Sequence, residues 1–169
     1  MSVTTRPTKE TTVTLTMGVA SLASDTNRLA GRESTSWVNS GPDFDFAISG
    51  KVRVGSSPTA GKIIQLWPIA KGALGTPTFP DVFDGTDSNE TVTSLNVLLS
   101  ICPRGPIWQA TIDSTSSRDY FINNVPLLRY FDFVPTECGL FLAHDTGVAL
   151  DSTAGNHEFS VTGVFATST

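Results

Sequence analysis

A period-2 apolar run and a shorter apolar run joined by a Gly-, Ser- and Pro-rich loop, at 44–69, constrain the fold of this chain more than any other feature. Phe44, Phe46, Ile48, Gly50, Val52 and Val54 fall on one face of a strand, with mostly polar or charged residues between them. The loop Gly-Ser-Ser-Pro-Thr-Ala-Gly-Lys at 55–62 follows, and then a shorter apolar run from Lys62 to Ile69. Each run buries one face and wets the other, so each needs a second layer to pack against. The pattern recurs along the rest of the sequence, which predicts an all-β chain.

Further strands are expected at 92–101, 107–112, 120–125, 128–134, 139–143 and 158–166, and one near the start at 11–16. In the run at 158–166, Phe159, Val161, Gly163 and Phe165 share a face with a gap at Gly163. Turn clusters such as Asp113-Ser-Thr-Ser-Ser and Asp151-Ser-Thr-Ala-Gly-Asn separate the runs. A helix fits only 91–99, where Val92, Leu95 and Leu99 have helical spacing, and the strand reading is taken ahead of it. Short strands without helical runs point to an antiparallel β-sandwich. The long loop at 70–91, with Gly72, Gly75, Pro77, Pro80 and Asp84-Gly85, favours jelly-roll or Greek-key connections.

At 169 residues the chain is long enough for one domain with a sizeable core. Only 16% of it is charged, against about a quarter in an ordinary soluble domain, and Ser and Thr make up the difference. Such a surface packs against other protein without desolvating many charges. The net charge of -5, with no basic stripe, argues against a nucleic-acid partner, which requires clustered Lys and Arg. The apolar runs are too short to span a bilayer, and the first residues lack the apolar stretch of a secretory signal. Synthesis in a cytoplasm, with no membrane partner, is therefore expected. Cys102 and Cys138 lie far apart without metal-type spacing and read as two buried free thiols.

Residues 1–40 differ from the rest, being rich in Ser, Thr, Asn, Arg and Gly and poor in large apolar side chains. The division expected is an extended N-terminal arm at 1–40 carrying one short strand, and a β-sandwich domain at 41–169. The arm would be mobile alone and ordered by a neighbour. Thr12, Val13, Thr14 and Leu15 would add as a strand to the neighbour's sheet edge, and Trp37 would fill a pocket there. Arg28, Arg32 and Glu33 would pair with its charges. Removing residues 1–36 would then leave the sandwich folded. Ile107, Trp108, Leu127, Leu128, Tyr130, Phe131 and Phe133 exceed what the inward strand faces need. That surplus points to self-association, centred on Trp108, Leu128, Tyr130 and Phe131.

No catalytic constellation accompanies this architecture. Asp81, Asp84, Asp87 and Glu90 recur every third residue, and calcium favours carboxylates gathered on a flexible loop. Their spacing misses the EF-hand pattern, so they are weak metal candidates on a solvated loop that Phe79 and Phe83 pin to the body. No cofactor is expected. His144 and His157 each adjoin a carboxylate, but no Gly-x-Ser-x-Gly elbow exists, and both read as strand-end histidines bonding loop backbone. Trp67 and Trp108 read as core or subunit-contact residues rather than a carbohydrate-binding face. Alternation sets Asp43 and Asp45 on one solvent face, without the cleft that a glycosidase pair requires. The chain is not expected to be an enzyme.

Four stretches carry a resemblance: Ala-Ser-Asp-Thr-Asn-Arg-Leu-Ala-Gly-Arg-Glu-Ser-Thr at 23–35, Ser-Gly-Lys-Val-Arg-Val-Gly-Ser-Ser-Pro-Thr-Ala-Gly-Lys at 49–62, Pro-Asp-Val-Phe-Asp-Gly-Thr-Asp-Ser at 80–88, and Ala-His-Asp-Thr-Gly-Val-Ala-Leu-Asp-Ser-Thr-Ala-Gly-Asn-His at 143–157. They resemble a family of small virion structural proteins of tailed bacteriophages and prophages. The resemblance implies a capsid decoration, or cement, protein on the phage head surface, made in the host bacterial cytoplasm. Its implied partners are the major capsid protein and further copies of itself, as a homotrimer. A tail, baseplate or head-fibre component that binds the host surface is the alternative.

Overall fold

Alternating apolar residues become strands, and every strand pairing is antiparallel among the residues described, which are 5–9, 12–41, 43–72, 78–131 and 134–168 of a computed structural model. In chain order the elements are β1 (Thr5–Lys9), β2 (Val13–Thr14), β3 (Ala30–Glu33), β4 (Trp37–Val38), β5 (Asp45–Arg53), β6 (Ile63–Ala70) and β7 (Asn89–Thr91). Then follow α1 (Leu95–Ile101), β8 (Trp108–Thr111), β9 (Asp119–Pro126), α2 (Leu128–Phe131), β10 (Glu137–His144), a 3-10 turn at Ala154–Asn156, and β11 (Glu158–Ser168). The protein is all-β in class, with two antiparallel sheets. One runs β1-β11-β5-β9, with β2 extending the β1 edge of β11. The other runs β7-β3-β10-β6-β8, with β4 extending the β3 edge of β10. The Gly-rich loop at 55–62 joins β5 to β6, which lie in different sheets, so it is a crossing and not a hairpin.

The main core lies between the sheets. Phe46, Ile48 and Val52 of β5, Ile122 of β9 and Phe159 and Val161 of β11 meet Ile64 and Leu66 of β6 and Leu140 and Leu142 of β10. The intervening residues of β6 and β10, namely Trp67, Ile69, Phe141 and Ala143, point the other way into a second cluster. That cluster is closed by Phe79, Phe83 and Val92 and by Leu98 and Cys102 of the α1 segment. Strands buried on both faces carry continuous apolar runs, as Ile-Ile-Gln-Leu-Trp-Pro-Ile-Ala and Glu-Cys-Gly-Leu-Phe-Leu-Ala-His do. Each fully buried large side chain contributes about 1.5–3 kcal/mol. The pinning role read for Phe79 and Phe83 holds: both are buried, and the Phe83 ring meets Phe141 edge-on with centroids 5.2 Å apart.

Three expectations are corrected. The strand at 92–101 is instead the helix α1, preceded by the short edge strand β7. The second cluster needs a cover over the outer face of its sheet, and a helix supplies it by turning Leu98 inward with Cys102 one turn on. Leu95 and Leu99, whose spacing suggested the helix, face solvent. The strand at 128–134 is instead the single helical turn α2, which lets Leu127 and Phe131 bury together; residues 132 and 133 lie outside the described residues.

The separate arm is the third correction. Residues 12–41 are built into both sheets: β2 pairs β11, β3 and β4 pair β10, and Leu15, Met17 and Val19 sit in the main core. Its sparse apolar side chains are spent inside its own chain, and its polar ones find long-range partners there. Residues 5–9, as β1, also pair β11, and residues 1–4, 10 and 11 of the expected arm lie outside the described residues.

Gly31 marks how closely β3 approaches β10. A Cβ there would overlap the Leu142 carbonyl oxygen and the Phe141 ring, whereas one at Gly155 would meet nothing. Gly31→Ala is expected to cost about 1–3 kcal/mol in chemical denaturation, with Gly155→Ala close to neutral. Deleting residues 1–36 removes β3 and three core side chains, so its circular dichroism melt should lose the cooperative transition.

Candidate binding face on the first sheet

The two sheets differ in what covers them. The outer face of the β10 sheet lies under the 79–102 segment, whereas the outer face of the β5 sheet presents half-buried and exposed side chains around Ser49, Lys51, Phe121, Asn123, Glu158 and Ser160, beyond the buried pair Ala47 and Thr162. Register assembles that open face in rows. Glu158, Lys51 and Phe121 stand side by side on β11, β5 and β9. The next row is Thr14, Ser160 and Ser49 on β2, β11 and β5, beside Asn123 of β9. A shallow groove of about 670 Å³ follows these rows.

Hydrogen bonds hold the groove in shape. The Ser160 hydroxyl donates to the Ser49 carbonyl at 3.2 Å, and the Asn124 amide donates to the Ser49 hydroxyl at 3.2 Å. Phe121 leaves 59% of its surface exposed, yet its backbone is fixed, because its carbonyl accepts the Trp108 indole N–H at 3.1 Å. A paired Arg53 and Asp119, at 2.7 and 2.8 Å, close one end of the face. That bond to Arg53 holds the Asp119 carboxyl below the usual carboxylate range.

The residues read as grips for a neighbour are occupied within the chain. Trp37 is half-buried with its ring centroid 4.1 Å from that of Phe46, so it has a local core after all. Val13 and Thr14 add as a strand to the chain's own β11. The Leu15 amide donates to the Phe159 carbonyl at 2.9 Å, and Thr12 shares a 2.8 Å hydroxyl bond with Thr162. Arg28 pairs with Asp145 at 2.9 Å, and Arg32 with Asp87 at 2.6 Å. Glu33 is buried and accepts the Gly85 amide at 2.7 Å, stapling the acidic loop to β3.

Of the self-association residues, Trp108 seals β8 to β9, the Tyr130 hydroxyl donates to the Ile107 carbonyl at 3.2 Å, and Phe131 is buried. Leu128 faces outward, and Phe133 lies outside the described residues. The four weak metal candidates do not converge. Asp81 turns to Thr93, Asp84 to Thr86, Asp87 to Arg32, and Glu90 to Ser88. Both histidines bond loop backbone as read, His144 Nε2 with the Leu22 carbonyl and His157 Nε2 with the Asp151 carbonyl.

Asp43 corrects the reading of a shared solvent face with Asp45. It is buried against Gly163, whose missing Cβ makes room for its carboxylate, while the Asp45 carboxylate accepts the Leu128 amide at 2.8 Å. Both cysteines are buried free thiols, and burial pushes Cys102 up to about 11 and Cys138 to about 12. Phe121 was missed as a site residue. Its strand was legible, but its outward face follows only from the register with β5. Comparison with family models, with curated proteins and with solved structures returns no match for this chain.

Two buried titrating groups act in opposite senses. Burial drives the Glu33 carboxyl up from 4.5 to about 7, with the Asp84 and Glu90 charges adding to the rise. Between those values the folded state holds a proton the unfolded state has lost, so the Glu33 contribution weakens as pH rises. Burial drives His144 down from 6.5 to about 4, so its contribution strengthens with rising pH across that window. Glu33→Gln should therefore gain on the wild type as pH climbs from 4.5 to about 7, by at most about 3 kcal/mol, read from urea melts at several pH values.

Proposed function

We propose that this chain is a structural protein of a bacteriophage virion, a decoration protein that binds the major capsid shell from outside and stabilises it. The observation that carries the reading is the order of strand pairing. With β1 and β2 taken as one ladder position, β3 and β4 as another, and β7 as an added edge, the pairs nest. β1/β2 pairs β11, β3/β4 pairs β10, β5 pairs β9, and β6 pairs β8. Alternate pairs fall in alternate sheets. A long antiparallel hairpin of four strand pairs produces this order when it rolls up, which supports a jelly-roll sandwich, an architecture used by capsid and lectin domains.

Fold alone does not select a function, so the surface has to agree. With only 16% of the chain charged, the surface suits close packing on a protein shell. Exposed Val38, Phe44 and Leu128 gather at the end where Asn39 bonds the Asp43 carbonyl and Asp45 bonds Leu128, a patch suited to the shell or to further copies in a homotrimer. The role is assembly rather than catalysis, in keeping with two histidines engaged by backbone carbonyls. The exposed Phe121 favours a second reading, a tail, baseplate or head-fibre module that binds the host surface.

Quantitative mass spectrometry of purified particles separates these readings. A decoration protein is expected in copy numbers comparable to the major capsid protein, on the head. A handful of copies per particle moves the protein to the tail, and absence from particles overturns the virion reading. Leu128→Asp is expected to reduce capsid occupancy by about tenfold with an unchanged melting curve, because the side chain it replaces already faces water.

A further inference from the structure

Phe121 is out of place on the open face. The outward residues around it are polar: Lys51, Ser49, Asn123, Glu158 and Ser160. A ring left 59% exposed forgoes much of the stabilisation that burying it would supply. Its main chain is nevertheless held from both sides, by the ladder to β5 and by the Trp108 indole. An exposed ring on a hydrogen-bonded strand is a platform, and sites built on strands hold their geometry better than sites on loops.

We propose that this face binds a neutral, hydroxyl-rich oligosaccharide, with Phe121 stacking under a pyranose ring. A pyranose presents a face of C–H groups and a rim of hydroxyls. The C–H face suits the Phe121 ring, and the rim hydroxyls suit an array that mixes donors with acceptors. Lys51 donates, Glu158 accepts, Ser49 and Asn123 do both, and Ser160, whose proton goes to the Ser49 carbonyl, accepts.

Charge selects the class of ligand. Lys51 and Glu158 stand directly across β5 and β11 and take part in no ion pair among the described residues, so the face carries both signs and no net charge. A polyanion would also meet the net charge of -5 on the whole chain. From β9 to β2 the face crosses three strand spacings, about 14 Å, which accommodates several sugar units. The groove is shallow and open, so it suits a stretch of chain rather than an enclosed end.

This inference does not rest on the virion reading; particle copy number tests one and sugar titration the other. The full 15N-labelled chain is titrated with chitotetraose, maltohexaose and cellohexaose, and its amide spectrum is followed. Saturable shifts centred on Phe121, Lys51 and Ser160 are expected with at least one of the three. Phe121→Ala should weaken that binding by about tenfold, the loss of one stacking contact, without lowering the melting temperature. Phe121→Trp should retain it. The proposal is overturned by the absence of saturable shifts with all three probes, or by binding that Phe121→Ala leaves intact. Stronger binding of dextran sulfate than of any neutral probe also overturns it, as does a Phe121→Ala variant that alters sedimentation but not sugar binding.

Discussion

The two-sided burial of β10 is the constraint on which the rest of the structure depends. From Cys138 to His144 every residue of that strand is buried. Leu140 and Leu142 feed the core between the sheets, and Phe141 and Ala143 feed the cluster beneath α1. A strand apolar on both faces cannot end a two-layer molecule, so the chain must supply a third layer. The segment at 79–102 does so without adding a sheet. It lays Phe79, Phe83, Val92 and Leu98 over β6 and β10, and Glu33 ties its loop down through the Gly85 amide.

From that asymmetry follows the location of a free surface. One outer face is consumed by the fold, and the other keeps a polar groove beside the exposed Phe121 ring. The exposed Val38, Phe44 and Leu128 stand apart from it, in segments linked by the Asn39–Asp43 and Leu128–Asp45 hydrogen bonds. A protein with one patch suited to protein and one face suited to sugar could attach to a particle by the first and present the second. This arrangement is compatible with the proposed decoration role and with the alternative host-contact role.

How much of this was legible in the sequence depended on whether a residue's partners were local. β5, β9 and β11 were readable because period-2 alternation is a local signal, β6, β8 and β10 because short apolar runs bounded by turn clusters are, and the buried free cysteines and backbone-bonded histidines followed from composition and spacing. α1 was misread because the burial that defines it, Leu98 with Cys102, is set by Trp67 and Phe141 far away in sequence. Residues 13–38 looked like an arm because their stabilising contacts are nonlocal and polar. Arg28 waits for Asp145, Arg32 for Asp87, and Glu33 for the Gly85 amide, and no window of sequence contains any of those pairs. The candidate site was hidden for the same reason. Phe121 lay in a recognised strand, but Lys51 and Glu158 become its neighbours only through two ladders whose register the sequence does not print.

Native-state hydrogen exchange on the isolated protein tests the central claim most directly, namely that β10 organises one cooperative unit that includes the N-terminal segment. The slowest-exchanging amides are expected on β10, β6 and β3 together, with residues 30–34 protected to the same degree as 140–143. Amides at 13–38 that exchange at the rate of an unfolded chain, while those of β5, β6 and β10 remain protected, would contradict it and restore a detachable arm.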